Sequence, residues 1–475
     1  MRRIEIHPVT RIEGHARITL QLGDDGRVRE ARFHVDQFRG FEKLAVGRPF
    51  HEMPGLMART CGICPVSHLI ASGKAGDALL AVEIPENAVR LRRILHLAQI
   101  LQSHALSFFY LSAPDLLLGM DADPARRNVL GLLAEEPELV RGGIALRAFG
   151  QEIIARMAGK RVHPAWVVPG GVSSPIGEET RDFLLDGVPR SLETVERALA
   201  LFRERLGGFA QEIERFASFP SLFLGLVGDD GGLEHYDGRL RVVDAAGAVV
   251  ADGVEGSRYE EIVAEADEPD SYLKAPYFRP LGTPDGMYRV GPLARLHLVE
   301  RCGTPRADRA LAALRAERSD SLLSSFLYHE ARLIEMLFAL ERIEELAGDP
   351  RVLDPDVRAH AGPNRREGIG VAEAPRGTLI HHYQIDANGL VTGVNLIIAT
   401  GHNALAMNRG VLQAARHFVD GHRLEEGMLN RVEAVIRAFD PCLACSTHAL
   451  GRMPLEVRLL DPDGAAIDVL RRSGG

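Results

Sequence analysis

Four stretches of the chain alternate apolar and polar residues on either side of a turn. Ala16 to Leu22 alternates, Asp24-Asp25-Gly26 supplies a turn, and Val28 to Val35 alternates again. Arg239 to Val250 turns at Ala245-Ala246-Gly247, Thr378 to Ile398 at Asn388-Gly389, and Leu455 to Leu470 at Asp461-Pro462-Asp463-Gly464. Each is predicted to be a β-hairpin.

Between these hairpins, apolar residues recur every three or four positions. Pro85 and Pro114 bracket Leu91, Leu95, Ala98, Leu101, Ala105 and Phe108 at helical spacing. Leu139 to Met157 and Leu192 to Phe216 continue in that style. Asp308 to Ala347 holds one or two long amphipathic helices, with Gly348 as the stop. Leu405 to Phe439 is largely helical, broken near Asp420-Gly421. No tandem repeat or low-complexity linker interrupts the pattern. The predicted fold class is α+β and mainly helical: a long-helix, bundle-like core with peripheral β-hairpins.

The chain has 475 residues, 46% of them hydrophobic, which is ample for a large core. With net charge −9 and no long basic run, nucleic acid is not an expected partner. No apolar run approaches a membrane span, and Met1-Arg2-Arg3-Ile4-Glu5 does not read as a signal peptide. A cytoplasmic, soluble protein is expected.

Five cysteines rule out a disulfide scaffold. Four form two CxxC pairs near opposite ends: Cys61 and Cys64 in Arg59-Thr60-Cys61-Gly62-Ile63-Cys64, and Cys442 and Cys445 in Asp440-Pro441-Cys442-Leu443-Ala444-Cys445-Ser446-Thr447-His448. Two such pairs offer four soft thiolates, suited to zinc, nickel, copper(I) or iron. A structural zinc site is the commonest reading of this donor set, and a dithiol redox pair is another. Against zinc, nearly the whole chain separates the pairs, and a chain this long needs no metal staple. Cys302 stands alone and reads as a core thiol.

The residues around the pairs narrow the choice. Pro8-Val9-Thr10-Arg11-Ile12-Glu13-Gly14-His15, Arg39-Gly40-Phe41-Glu42, the Arg59 to His68 run, Glu373-Ala374-Pro375-Arg376-Gly377 and the Asp440 to His448 run occur in order. On these motifs the chain resembles the large subunit of nickel–iron hydrogenases along almost its full length. It looks most similar to the cytoplasmic NAD-reducing, bidirectional type, through Phe38-Arg39-Gly40-Phe41-Glu42-Lys43, Leu226-Val227-Gly228-Asp229-Asp230, Gly238-Arg239-Leu240-Arg241 and Thr447-His448-Ala449-Leu450-Gly451.

The resemblance implies that Cys61 and Cys442 bind nickel terminally while Cys64 and Cys445 bridge nickel to an iron carrying carbonyl and cyanide. It implies heterolytic, metal-assisted cleavage of H2, with the Cys442 sulfur receiving the proton and Glu13 relaying it outward. Arg376, held by Pro375, would lie beside the diatomic ligands and pair with Asp440. Thr400 would donate to a cyanide and His68 to a bridging sulfur. Glu42, the Leu396 carbonyl and His448 match a second site, for Mg2+. Taken as isolated residues, Glu13 and Glu42 read as solvated carboxylates, Arg376 as a surface ion pair, Asp440 as a turn residue, Thr400 as an ordinary strand-end residue and His68 as a core histidine. One departure stands out: many periplasmic members carry aspartate where Ser103 precedes His104, so one carboxylate near nickel is expected to be missing.

The resemblance further implies a catalytic domain over 1–448 and an extension over 449–475, removed after His448 by a dedicated endopeptidase once nickel is inserted. A chain running to Gly475 then reads as the unprocessed precursor, although 455–470 could instead be a final hairpin of the mature fold. No iron–sulfur cluster is expected in this chain, so electrons would leave through a small subunit bearing clusters. Flavin- and NAD-binding diaphorase subunits and a maturation chaperone are the other partners implied. A regulatory hydrogen sensor shares nearly every motif. The quinone-site subunit of respiratory complex I is similar in fold but lacks the four thiolates. A non-catalytic scaffold holding zinc through the four cysteines would need neither Arg376 nor Glu13.

Overall fold

The computed structural model describes residues 2–268, 271–318, 322–448, 455–460 and 466–472. Its centre is a set of long helices packed on one another. Glu86–Ala105 lies against Pro137–Ala158 and against Tyr328–Gly348, which also packs on Glu178–Arg205. The 328–348 helix is buried on nearly all sides for its first four turns, so it is the axle of the core rather than a surface helix. Small antiparallel sheets flank this core, as the fold class predicts.

The hairpins form where the turn residues place them. Arg17–Leu22 pairs with Val28–His34, and Arg2–Ile6 adds an edge strand that the alternation did not suggest. Arg239–Val243 pairs with Val249–Val254, in a four-stranded sheet completed by Leu222–Val227 and, in parallel, Tyr288–Arg289. Leu455–Leu460 pairs with Ala466–Arg472, whereas the predicted turn at 461–464 lies outside the described residues, as do Ala449, Leu450 and Gly451.

Several boundaries differ from the sequence expectation. Pro114 does not end the 86–105 helix. The chain runs on through a wide π-helical stretch, Leu106–Ser112, and Pro114 sits in the first turn of Ala113–Leu118, where its missing N–H is not needed. The helix predicted from Leu192 begins at Glu178 and passes through Pro189, which is exposed, so that water can take the freed carbonyl. It ends at Arg205, and a 3-10 turn and Ala210–Arg215 follow. The 404–418 and 426–439 helices break where Asp420-Gly421 predicts.

The arrangement that positions the site has no counterpart in the sequence pattern. Pro65–Leu80 is a helix buried nearly all round, and Glu367–Ala374 is a strand lying along it. The strand can approach that closely because it carries glycine. A Cβ at Gly368 would lie 2.3 Å from the Ala75 carbonyl oxygen, and one at Gly370 would lie 2.0 Å from that of Ala71. Rising numbers in the strand meet falling numbers in the helix. The strand's C-terminal end, and the tight turn to Gly377–Ile385, therefore arrive at the helix N-terminus, next to Cys61 and Cys64. Gly377 has φ 135°, and a Cβ there would meet Val290 at 2.2 Å.

A buried ionic cluster anchors the other wall. Asp115 faces three guanidiniums: Arg11 at 2.5 Å, Arg437 at 3.0 Å and Arg127 at 3.4 Å. Burial alone would raise the Asp115 carboxyl, but Arg437 and Arg11 hold it below its ordinary value. Arg11 has φ 56°, so this cluster fixes the backbone two residues before Glu13. Asp115→Asn should therefore lower stability by about 3–5 kcal/mol, because it leaves buried cations short of their shared partner. An unfolding midpoint in denaturant equal to the parent's would show that the remaining carboxylates suffice.

Candidate metal centre

The two cysteine loops come from opposite ends of the chain and meet in the interior. Cys61 precedes the 65–80 helix, and Cys442 opens the short helix Leu443–Ser446. Cys61 Sγ lies 3.1 Å from Cys442 Sγ, Cys64 Sγ 3.6 Å from Cys445 Sγ, and Cys442 Sγ 2.9 Å from Cys445 Sγ. All four sulfurs fall within 4.8 Å of one another and are buried, at separations far longer than a disulfide. Backbone N–H groups of Ile63 and Cys64 point at Cys61 Sγ, each at 3.2 Å. Burial opposes ionisation of Cys61, yet hydrogen bonds from the other three thiols and the charge of Arg376 hold its pKa well below the ordinary thiol value. Burial pushes Cys442 and Cys445 well up. The group thus accommodates one thiolate readily, and a soft cation would favour ionisation of the rest. The donor set fits a thiolate-bound metal.

Arg376 sits on the turn between the 367–374 and 377–385 strands. Its Nε donates to the Asp440 carbonyl at 2.5 Å, its Nη2 to Asp440 Oδ1 at 3.1 Å and its Nη1 to Ser103 Oγ at 3.2 Å. Its burial would lower its pKa, but Asp440 and the sulfurs of Cys442, Cys64 and Cys61 hold it well above the ordinary value, so it stays charged. Asp440 occupies the left-handed region, φ 54°, at the end of the 426–439 helix. Burial raises its carboxyl despite Arg376 and Arg332. Pro375 and Arg376 are thus brought to the cysteines as expected, with a serine hydroxyl at the position where a second carboxylate was expected to be missing.

Glu13 reaches the cysteines from the other side. Its backbone forms a parallel bridge to Cys442, the Leu443 N–H donates to its carbonyl at 3.2 Å, and the Ala444 N–H donates to Oε2 at 3.0 Å. Burial and the charge of Cys61 raise its pKa, so the site favours the protonated carboxyl more than water does. Thr400 Oγ1 accepts the Cys442 N–H at 2.8 Å, which leaves its own hydrogen free to donate. His68 is buried, its pKa lowered to about 4 by burial, and its Nδ1 pairs with His381 Nε2 at 3.1 Å. Cys302 is a buried thiol remote from these motifs, as expected.

Of the residues expected at the second site, Glu42, Leu396 and His448 lie together, with Leu396 in contact through its N–H rather than the carbonyl expected as a ligand. Glu42 Oε1 accepts the Leu396 N–H at 2.8 Å and pairs with His448 Nδ1 at 2.9 Å. The Glu42 N–H donates to the His448 carbonyl at 3.3 Å. Burial opposes the Glu42 charge, but His448 outweighs it and lowers the carboxyl.

Some residues that shape the centre do not stand out in the sequence. Arg39 Nη1 donates to the Thr60 carbonyl at 2.6 Å and reaches the Ala444 carbonyl at 3.5 Å, tying the two cysteine loops together. Its place in the Arg39-Gly40-Phe41-Glu42 motif was the available signal. Glu335, Arg295 and His104 form a fully buried network behind the Arg376 turn. Their only sequence signal is charge within a helix that is otherwise apolar.

Comparison with known proteins agrees with this geometry. A family model described as nickel-dependent hydrogenase matches residues 39–130 and 235–448, and one described as HoxL-like matches residues 3–38. The chain is 42% identical to the NAD-reducing hydrogenase HoxS subunit beta of Cupriavidus necator, over 98% of this chain and 99% of that protein. It is 38% identical to a chain of the F420-non-reducing hydrogenase vhc of Methanococcus voltae, over 96% of each. Among solved structures, an NAD+-reducing [NiFe]-hydrogenase in the H2-reduced state superposes with TM-score 0.92 at 47% identity, over 94% of this chain and 100% of that chain. The Ni-Fe-Se hydrogenase of Desulfovibrio vulgaris Hildenborough shares the fold, with TM-score 0.75 at 23% identity, over 94% of this chain and 100% of that chain.

Proposed function

The chain belongs to the nickel-dependent hydrogenase large-subunit family, as the catalytic subunit of a nickel–iron hydrogenase, and we propose how its residues divide the work. The observation that carries the proposal is the buried convergence of four cysteine sulfurs with one guanidinium and one carboxyl of raised pKa. Cys61, Cys64, Cys442 and Cys445 would together hold the nickel–iron group, whose iron would carry carbonyl and cyanide. When bound, that centre supplies the polarising, electron-accepting chemistry that splits H2 into two protons and two electrons.

The chain's own residues orient and move protons around it. Cys442 Sγ is the first proton acceptor, and Glu13, hydrogen-bonded through Ala444 to the same loop, carries the proton outward. Arg376, with Asp440 as its countercharge, would present fixed N–H donors to the ligands of the bound group. The Thr400 hydroxyl would donate to a ligand of the bound group, and His68, neutral and anchored through Nδ1, would serve a cysteine sulfur through its other ring nitrogen. Glu42, the Leu396 carbonyl and His448 would hold Mg2+, a hard cation that suits oxygen donors.

Four of the five cysteines are committed to this site, so electrons leave through a small subunit with iron–sulfur clusters. Likeness to an NAD-reducing relative supports diaphorase subunits and NAD(H) as acceptor, in the cytoplasm. Among the described residues, no helix is long and apolar enough to cross a membrane. The segment beyond His448 is removed by an endopeptidase after a chaperone has assisted metal insertion. The family match ends at His448, whose ring pairs with Glu42.

The deciding experiment is an infrared spectrum of the anaerobically purified, native-host protein between the amide and C–H bands. One carbonyl and two cyanide bands are expected. A blank spectrum from processed, metal-loaded protein would return the cysteines to zinc. Glu13→Gln keeps an acceptor for the Ala444 N–H, so it should leave those bands in place while turnover falls roughly 10²–10⁴-fold. Retained turnover would place the proton route elsewhere. Intact-mass measurement of active enzyme should show a C-terminus at His448; an active chain ending at Gly475 would contradict the processing.

A further inference from the structure

The interactions that hold the Arg376 turn extend beyond its own motif. Behind it, Arg295 donates through Nη1 to the Ala374 carbonyl at 3.0 Å and through Nη2 to the Pro375 carbonyl at 3.3 Å. Arg295 is itself gripped twice. Glu335 takes Nε at 2.6 Å and Nη2 at 2.7 Å, and Glu373 takes Nη1 at 2.9 Å. All three side chains are 0% exposed. Glu335 Oε2 has one more partner, His104 Nε2 at 2.7 Å. His104 neighbours Ser103 on the 86–105 helix, and Ser103 Oγ accepts Arg376 Nη1.

These contacts close a ring. It runs from Glu335 through Arg295 to the backbone that carries Arg376, and through His104 and Ser103 to the guanidinium head of Arg376. We infer that Glu335 is the positioning residue for Arg376, setting both where its backbone starts and where its guanidinium ends relative to the cysteine sulfurs. The inference rests on the proposed role of Arg376 at the metal centre.

Chemistry favours this over a purely structural role. A buried Arg–carboxylate pair is seldom more stabilising than apolar residues of the same volume, because both ions lose their water. What it offers is a fixed bidentate geometry. Burial would push Glu335 up, but Arg295 holds it well below the carboxylate range, so it keeps both oxygens as acceptors. Burial lowers His104 to about 4, so it is a neutral imidazole whose Nε2–H donates to Glu335. The ring thus reaches Ser103, the backbone neighbour of His104, without adding a charge. The 328–348 axle helix then carries the position of the core to the centre.

The test uses the complete enzyme, with Glu335→Gln as the first variant and His104→Phe as the second. His104→Phe cuts only the branch to Ser103 and leaves the Arg295 pair intact, so it decides the matter if Glu335→Gln does not assemble. Both variants should shift the infrared bands of the cyanides that Arg376 faces more than the carbonyl band. Turnover should fall, on the order of 100-fold for a displacement near 1 Å, at unchanged KM for H2. A structural role alone would lower the unfolding midpoint and leave the bands of the surviving enzyme where they are. Variants that fold with parental bands and parental turnover would overturn the inference. Absence of these bands in the parent enzyme would instead overturn the proposed function itself.

Discussion

Everything in this molecule answers to one constraint: four thiols from opposite ends of the chain must share a volume from which water is excluded. Cys61 and Cys442 are 381 residues apart yet 3.1 Å apart at sulfur. Closing so long a loop costs little more than closing a short one, since the entropy grows only with the logarithm of length. The difficult part is electrostatic. Buried sulfurs this close oppose one another's ionisation, so Cys61 is driven toward thiolate while Cys442 and Cys445 are driven away from it. The site needs positive charge, and before any metal arrives Arg376 supplies it.

That countercharge is expensive to bury, and the structure spreads the cost over several elements. Asp440 neutralises Arg376, and its left-handed backbone lets its carbonyl and its carboxylate face the same guanidinium. Ser103 adds an acceptor without adding a second negative charge. A carboxylate in its place would leave Arg376 between two anions with thiolates beside it, so the neutral hydroxyl shifts the balance toward the sulfurs and the metal. The strand and turn that deliver Arg376 reach this spot because Gly368 and Gly370 let backbone lie on backbone along the 65–80 helix. Side chains there would hold the turn away from the cysteines.

The sequence displayed the chemistry more plainly than the framework that aims it. The cysteine pairs, Glu13, Arg376 and His448 sit in short local motifs, where neighbours in sequence are neighbours in function. The hairpins were legible because their turns carry Asp, Asn and Gly at the required positions. By contrast, the 65–80 helix and the 367–374 strand are buried on every side, which erases the period that reveals an amphipathic element. Pro114 misled, since it opens a helix instead of ending one. The ring through Glu335 was invisible because its members, residues 104, 295, 335 and 373–376, meet only in three dimensions. Arg295 and Glu335 look like ordinary charged residues in their own stretches of chain, and neither the motif around Arg376 nor His104 points to them.

The segment 39–42 shows how the two halves of the site are kept in register. Arg39 holds the Thr60 carbonyl just before Cys61 and reaches the Ala444 carbonyl between Cys442 and Cys445. The N–H groups of Arg39 and Gly40 donate to the Thr447 carbonyl, and that of Glu42 donates to the His448 carbonyl. Glu42 Oε1 then links His448 to the Leu396 N–H on the sheet that also carries the Arg376 turn. One short loop thus joins the first cysteine pair, the second pair and the arginine-bearing sheet. Residues 442–448 cannot swing out without breaking that zipper, and the first pair cannot move without pulling on Arg39. The thiol cage is therefore defined as much by backbone hydrogen bonds to this loop as by the cysteines themselves.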